Sequence, residues 1–375
     1  MLKDLYAKYR PQHEDFWHRR ALEPEFSRTF RVNGCLVEMT SNHAGVLIVA
    51  DLVAPQYSVA PPRPGAGFRL QIAVHAPPVD PGPPPEDLFP LIHYTGSGDW
   101  FNLHLGAWGT CFADLRAGFG VAILAPSLAA RPVLVARHLI NTLLTNFLTR
   151  NGFAMLHATG LVRVSSSMPS SSLSGVRTPN SRGFAKAKTA GRVLLLMAPH
   201  NSGKSTTALR LTLSRAFRLL TDSMVYLSET PDGLQLSGFP VGRGKLRRDS
   251  LPPFPELTPE QVRDETKFVL DLHQLDSTLV FDEAIVPDQI DLCLLKRNGQ
   301  PKTFIQEATL DETWEAILLN SLHDDTPEVW AENLRLIEPL VNRARLFHLE
   351  IGTEGNGIVE RILETCAEGS RSIGD

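Results

Sequence analysis

Five consecutive apolar residues, Val193-Leu194-Leu195-Leu196-Met197, run directly into Ala198-Pro199-His200-Asn201-Ser202-Gly203-Lys204-Ser205. This order restricts the fold more than any other stretch of the chain, because it asks for a strand, a tight loop and a helix in succession. The loop fits the phosphate-binding pattern with Ala198 in its first position. In such a loop, backbone N–H groups and the following helix N-terminus point at phosphate oxygens, and the lysine adds a mobile positive charge. Candidate nucleotide contacts are therefore Ala198, Asn201, Ser202, Gly203, Lys204, Ser205 and Thr206, with the Ser205 hydroxyl suited to a magnesium ion. Thr206 to Phe217 continues as a helix, with Leu209, Leu213 and Phe217 four apart. Ser202 departs from the pattern, since many such loops carry a second glycine there. The competing reading is an accidental strand, turn and helix that binds nothing; the agreement of three elements weighs against it.

A chain of 375 residues is long enough for two domains or one large one. Its 43% hydrophobic and 21% charged content is that of an ordinary soluble globular protein, and a net charge of -4 carries no polycationic signature, so nucleic acid is not an expected partner. The segment Met1 to Arg10 is charged, and no apolar stretch reaches the roughly 18 residues of a spanning helix, so neither a signal peptide nor a membrane association is expected. Cys35, Cys111, Cys293 and Cys366 are far apart and form no C-x-x-C pair. That argues against a zinc cluster or disulfide scaffold and makes a reduced, cytoplasmic setting the expectation.

Residues 28 to 125 hold short apolar or alternating runs at Phe30–Met39, Gly45–Val53, Phe68–His75, Trp100–Gly106 and Gly120–Leu124, with the proline-stiffened loop Pro77 to Pro85 among them. They read as a β-rich N-terminal region, drawn here as residues 1–130. From 131 onward the pattern changes to α/β. Pro132 opens a helix that Gly152 closes, and a strand follows over Phe153–Val164. Residues 165–191 are rich in serine and then in Arg177, Arg182, Lys186 and Lys188, with no acidic residue. Such a composition cannot bury enough apolar surface to order itself, so the segment reads as a flexible basic insertion at the tip of a hairpin. Beyond the phosphate loop come a strand at Arg218–Leu227, a basic run at Arg243, Lys245, Arg247 and Arg248, a strand at Ile290–Lys296, helices near Asp311–Leu322 and Pro327–Ala344, a strand at Leu346–Ile351 and a last helix at Gly357–Glu368. Thr309 and Glu312 have the spacing of a capping box.

Phosphoryl transfer needs bound phosphates, a magnesium ligand and a group that positions or deprotonates the nucleophile. Asp222 ends the apolar Leu219-Leu220 pair 18 residues beyond Lys204, where it can lie at the carboxyl edge of a strand near the loop. Asp282 and Glu283 follow Leu279-Val280-Phe281 and imitate the acidic pair of many ATPases. Asp222 is preferred, because Asp282 lies near Pro287 between turn signals, as in a surface loop. His157, within Met155 to Val162, is the third candidate, although a lone histidine in such a strand is more often a hydrogen-bonded core residue. The basic run can neutralise an anionic substrate or be a solvated loop.

The order of a helix, Leu156-His157-Ala158-Thr159-Gly160, Gly203-Lys204-Ser205-Thr206 and Arg218-Leu219-Leu220-Thr221-Asp222 resembles the catalytic domain of the bacterial HPr serine kinase/phosphorylase and the broader HPr kinase-like group. The likeness covers about 131–375 and continues, more weakly, through Phe239-Pro240 and Lys267-Phe268-Val269-Leu270. It implies a P-loop kinase domain similar to phosphoenolpyruvate carboxykinase, binding ATP and Mg2+. The implied reaction is transfer to a serine or other hydroxyl of a peptide, protein or small molecule. By position, Lys204 and Ser205 would handle phosphates and magnesium, Asp222 would be base or metal ligand, and His157 would border the site. The family assembles as oligomers, which leaves a homo-oligomer open. Two departures stand out: Ser223 replaces the second acid of the family's pair, and the glycine-rich downstream signature of HPr kinases has no counterpart. They point to an acceptor other than HPr, or to a nucleotide-binding regulatory or scaffold protein with reduced turnover. A P-loop ATPase using Asp282 and Glu283 is the remaining alternative.

Overall fold

The computed structural model describes residues 16–54, 67–163, 188–189, 191–199, 201–247, 254, 257, 261–262, 267–321, 326–353 and 357–368. Of the expected insertion at 165–191, all but Lys188, Thr189 and Gly191 lies outside these residues, as do His200 and Arg248. The protein is mixed α/β, with two compact units that divide between Asn151 and Gly152.

The N-terminal unit is built on a seven-stranded sheet in the order Phe26–Val32, Cys35–Ser41, Gly67–Val74, Phe119–Leu124, Gly109–Asp114, Trp100–Leu105, Ile92–Ser97. The pairings on either side of Gly67–Val74 are parallel and the rest antiparallel. Inward residues alternate along the strands, as in Cys35, Val37, Met39 and Phe68, Leu70, Ile72, which makes a one-sided core. The run Gly45–Val53, grouped with the strand-like runs in the sequence, forms the short helices Ala44–Leu47 and Val49–Val53 instead. Its buried residues Val46, Leu47, Val49, Ala50 and Val53 recur three and four apart, and that period wins over β-branched composition. The helix opened by Pro132 runs through a π-helical segment, Val135–Ile140, into Asn141–Arg150. It belongs to this unit, with Phe147 against Phe68 at 5.1 Å between ring centroids. The compact boundary therefore lies after 151, whereas the change in sequence pattern falls at 130.

In the C-terminal unit the central sheet has six strands, in the order Arg218–Thr221, Ala158–Arg163, Arg192–Met197, Gln289–Arg297, Arg345–Ile351, Phe304–Glu307. Ala158–Arg163 runs antiparallel to both neighbours, while Arg192–Met197, Gln289–Arg297 and Arg345–Ile351 run parallel to one another. Arg218–Thr221 consequently points the same way as those three. Both faces are covered. Val193, Leu195 and Met197 pack with Leu336, Ile337 and Leu340 of the helix Pro327–Arg343. Leu194 and Leu196 pack with Ala208, Leu209 and Leu211 of the helix Lys204–Leu213, and with Ile358 and Ile362 of the helix Gly357–Glu368. A strand buried on both sides has no polar alternation, which is why its sequence is an unbroken apolar run. Each of these leucines contributes about 1.5–3 kcal/mol by burial.

Two smaller sheets complete the unit. One has the order Lys188–Thr189, Ile285–Val286, Gly233–Gly238, Val225–Thr230, Ala154–Leu156, and the other Arg243–Arg247, Lys267–Asp271, Gln261–Val262. Two segments that each read as one strand are split between sheets. Phe153–Val164 breaks at His157, and Arg218–Leu227 breaks at Asp222 to Met224.

Candidate functional site

The strand directions decide which residues meet. Arg192–Met197, Arg218–Thr221, Gln289–Arg297 and Arg345–Ile351 all end at one edge of the central sheet, and Ala158–Arg163 begins there, with Ala158 opposite Met197. That edge therefore collects the loop from Ala198, Asp222, Arg297 and His157. In open α/β sheets the carboxyl ends of parallel strands are where ligands bind.

The loop itself turns on two left-handed residues, Asn201 at φ 65° and Gly203 at φ 105°. Asparagine tolerates that region better than other side chains, and at Gly203 the lack of a Cβ removes the strain. Ser202, the residue that departs from the glycine pattern, donates its hydroxyl to the Pro199 carbonyl at 2.7 Å and so closes the loop. Gly203 caps the helix Lys204–Leu213, whose first turn has neither a side-chain cap nor an acidic residue. Its free N–H groups and positive dipole end remain directed at the loop. Lys204 is 9% exposed and donates its ammonium to the Ala198 carbonyl. Burial lowers its pKa, and the charge of Asp222 partly opposes that. Thr206 lies half-buried in the same first turn. Phe217 is buried beyond the helix end at Leu213 rather than within the helix.

Asp222 is 5% exposed and satisfied from several sides. The Thr159 hydroxyl donates to its carbonyl at 3.0 Å and to Oδ1 at 3.3 Å, and the Lys245 backbone N–H donates to Oδ2 at 2.8 Å. Ser205 lies near enough to the same carboxylate to favour its charged form. Burial raises the Asp222 pKa; the Lys245 charge and N–H, then Ser205 and Thr159, pull it down without cancelling the rise. Ser223 accepts a hydrogen bond from the Lys245 ammonium at 2.7 Å. Where the HPr kinase-like pattern has a second acid, this chain thus holds a hydroxyl paired with a cation.

The basic run is a strand, Arg243–Arg247, and Lys245 reaches the site from it. His157 is half-buried at the crossover between two sheets, one residue before the pair Ala158–Met197. Asp282 is placed differently. Val280 bridges Leu219 in parallel and the Phe281 N–H donates to the Leu219 carbonyl at 2.9 Å. Two strands, Arg218–Thr221 and Ala158–Arg163, therefore separate it from the strand that leads into the loop. Its charge acts on His273 instead.

Sequence reasoning overlooked Thr159 and Arg297. Each left a signal, a polar residue inside or at the end of an apolar strand. Arg297 extends its strand three residues past Leu294, the partner of Met197, and its Nε lies 3.7 Å from where a Cβ on Gly203 would stand.

The oxygen donors Ser205 and Asp222, neighbours at the same sheet edge, suit a hard cation that takes its remaining ligands from phosphate and water. Among the described residues no group of three or more His, Cys, Asp or Glu converges as a metal site. No family model matches the chain, and no curated protein matches it. No helix of the described residues is long and apolar enough to cross a membrane.

Proposed function

We propose that the chain binds ATP with Mg2+ at the loop Ala198–Ser205 and is a phosphotransferase of HPr kinase-like type, with a hydroxyl-bearing acceptor other than HPr. The observation that carries this reading is the buried carboxylate of Asp222 at the edge where the loop begins, near enough to act on Lys204 of the loop and to be acted on by Ser205, the last residue of its pattern. A loop that arose by accident has no reason to meet a buried acid from another strand. In this reading the loop N–H groups and Lys204 hold the phosphates, and Ser205 and Asp222 hold Mg2+, which neutralises charge on the phosphate oxygens when bound. Where Asp222 serves as base rather than as metal ligand, its proton affinity, raised by burial, suits it to accept the proton of the acceptor hydroxyl as that oxygen bonds to the terminal phosphorus and the bond to the ADP leaving oxygen breaks. His157 borders the space above the loop.

The Ser223–Lys245 pair favours a second reading, a nucleotide-binding regulatory protein with reduced turnover, because one acid serves where the family uses two. The ATPase reading through Asp282 and Glu283 has less support, since Asp282 is separated from the loop strand by two others.

Calorimetric titration with Mg·ATP, followed by transfer of labelled γ-phosphate, tests these readings. Lys204→Ala is expected to lose nucleotide affinity; unchanged affinity removes the loop assignment. Asp222→Asn is expected to weaken Mg·ATP binding only in part, because the loop and Lys204 still hold the phosphates, and to lose transfer. Binding by the wild type with no transfer to any acceptor or to water selects the regulatory reading, and loss of hydrolysis confined to Asp282→Asn selects the ATPase.

A further inference from the structure

Gly203, the N-cap of the loop helix, has an ionic neighbour from a distant part of the sequence. A Cβ placed on it would stand 3.7 Å from Nε and 3.9 Å from an Nη of Arg297, with the Ile351 Cδ1 also at 3.7 Å. Arg297 is the last residue of Gln289–Arg297, opposite Ile351 across the parallel pairing, so two adjacent strand ends bring it to the loop. Its neighbour Lys296 is engaged with Glu350 at 2.8 Å. The Arg297 guanidinium makes no ion pair or hydrogen bond among the described residues and is exposed. A guanidinium so held beside uncapped helix N–H groups faces other positive potential, an arrangement that an anion relieves.

Resting on the nucleotide reading above, we infer that Arg297 is a phosphate ligand of this site, its guanidinium donating to the polyphosphate of the bound nucleotide from the side opposite Asp222. The sheet order supports that placement. Asp222 follows a strand two positions to one side of Arg192–Met197, and Arg297 ends the strand immediately on the other side. The phosphates then lie among Lys204, the helix N-terminus and Arg297, with Asp222 as their acidic partner. A guanidinium suits this role better than an ammonium, because its fork of donors can take two phosphate oxygens at once.

The test is calorimetric titration of the full chain with Mg·ATP and, separately, with Mg·tripolyphosphate, using wild type, Lys204→Ala, Arg297→Ala, Arg297→Gln and Arg297→Lys. Loss of a charge-assisted contact raises the Kd of the Ala and Gln variants about 10- to 100-fold. The factor is the same for both ligands, since the contact is to phosphate, and Arg297→Lys recovers part of it. Without ligand the Arg297 variants melt with wild type, because no described side-chain partner is lost. If wild type binds Mg·ATP, Lys204→Ala does not, and a folded Arg297→Gln binds as wild type, the Arg297 inference fails and the nucleotide reading stands. A loss seen with ATP but not with tripolyphosphate also overturns it, by moving the contact to the nucleoside. If wild type binds neither ligand, both readings fall.

Discussion

Thr159 and Asp222 are tied by one hydroxyl, which donates to the aspartate's backbone carbonyl at 3.0 Å and to its Oδ1 at 3.3 Å. Both residues are buried, so water cannot replace the bond. It also pins the point where the chain leaves Arg218–Thr221 to the strand beside the loop strand. Thr159→Val keeps the shape and removes the donor, and an unsatisfied buried acceptor costs about 1–3 kcal/mol. Urea unfolding is expected to show a loss of that size, with Mg·ATP affinity falling as Asp222 loosens, while Thr159→Ser retains both. A Thr159→Val protein as stable as wild type would mean that the hydroxyl holds nothing.

Asp222 also makes stability depend on pH in a definite direction. Its pKa in the folded protein is raised above the ordinary 3.8, chiefly by burial, so the folded state holds the proton more tightly than the unfolded chain. The associated stabilisation is complete below the unfolded pKa and is lost as pH rises through the raised folded value. Unfolding free energies of wild type and Asp222→Asn, followed upward from about pH 4, are expected to diverge with the wild type losing ground. A difference that stays flat with pH would show that the carboxylate is not penalised by burial.

The sequence revealed the loop, its strand and its helix because three local patterns agree there. It revealed the hairpin joining Ala158–Arg163 to Arg192–Met197 as well, since the insertion leaves both flanks apolar. It did not reveal that Phe153–Val164 and Arg218–Leu227 are each two strands. Residues on both sides of each break are buried and apolar, so periodicity carries no mark of a crossover between sheets. The only marks are His157 and Asp222-Ser223, polar residues inside apolar runs. His157 and Asp222 were legible as site candidates, and Ser223 as a departure from the acidic pair, but none as the place where the chain changes sheet. Arg297 was harder still: its approach to Gly203 depends on how far one strand outruns another, a register that no local pattern records.

The capping box is a local feature whose contacts follow from its spacing. Thr309 N–H and hydroxyl donate to Glu312 Oε2 at 2.9 and 2.7 Å, and the Glu312 N–H donates to the Thr309 hydroxyl at 3.3 Å. The two bonds that Oε2 accepts from Thr309, with His348 also at hand, hold the Glu312 carboxyl down to about 2. The stabilisation is present above the ordinary 4.5 and lost as pH falls through that lowered value. Thr309→Ala is expected to cost about 0.5–2 kcal/mol near neutrality. The difference between wild type and Glu312→Gln is expected to shrink in acid toward pH 2, as read from unfolding curves. A Glu312→Gln difference that persists unchanged there would assign the effect to packing.

Gly238 links the second sheet to the site without touching a ligand. A Cβ there would stand 2.2 Å from the Leu220 carbonyl oxygen and 2.9 Å from both the Leu220 carbonyl carbon and the Thr221 Cβ. Two of those three atoms are backbone and cannot swing aside, so Gly238→Ala must push Arg218–Thr221 away from Gly233–Gly238. Asp222 is the next residue along the displaced strand. Overpacking of this kind costs about 1–3 kcal/mol, and the displaced carboxylate parts from the Thr159 hydroxyl and the Lys245 N–H. Gly238→Ala is therefore expected to lower both the unfolding free energy and Mg·ATP affinity. Gly357→Ala, where no described neighbour lies within 4 Å, leaves affinity unchanged and melts at or slightly above wild type. A Gly238→Ala variant that loses stability but binds Mg·ATP normally would show that the strand end at Asp222 is positioned independently of the sheet behind it.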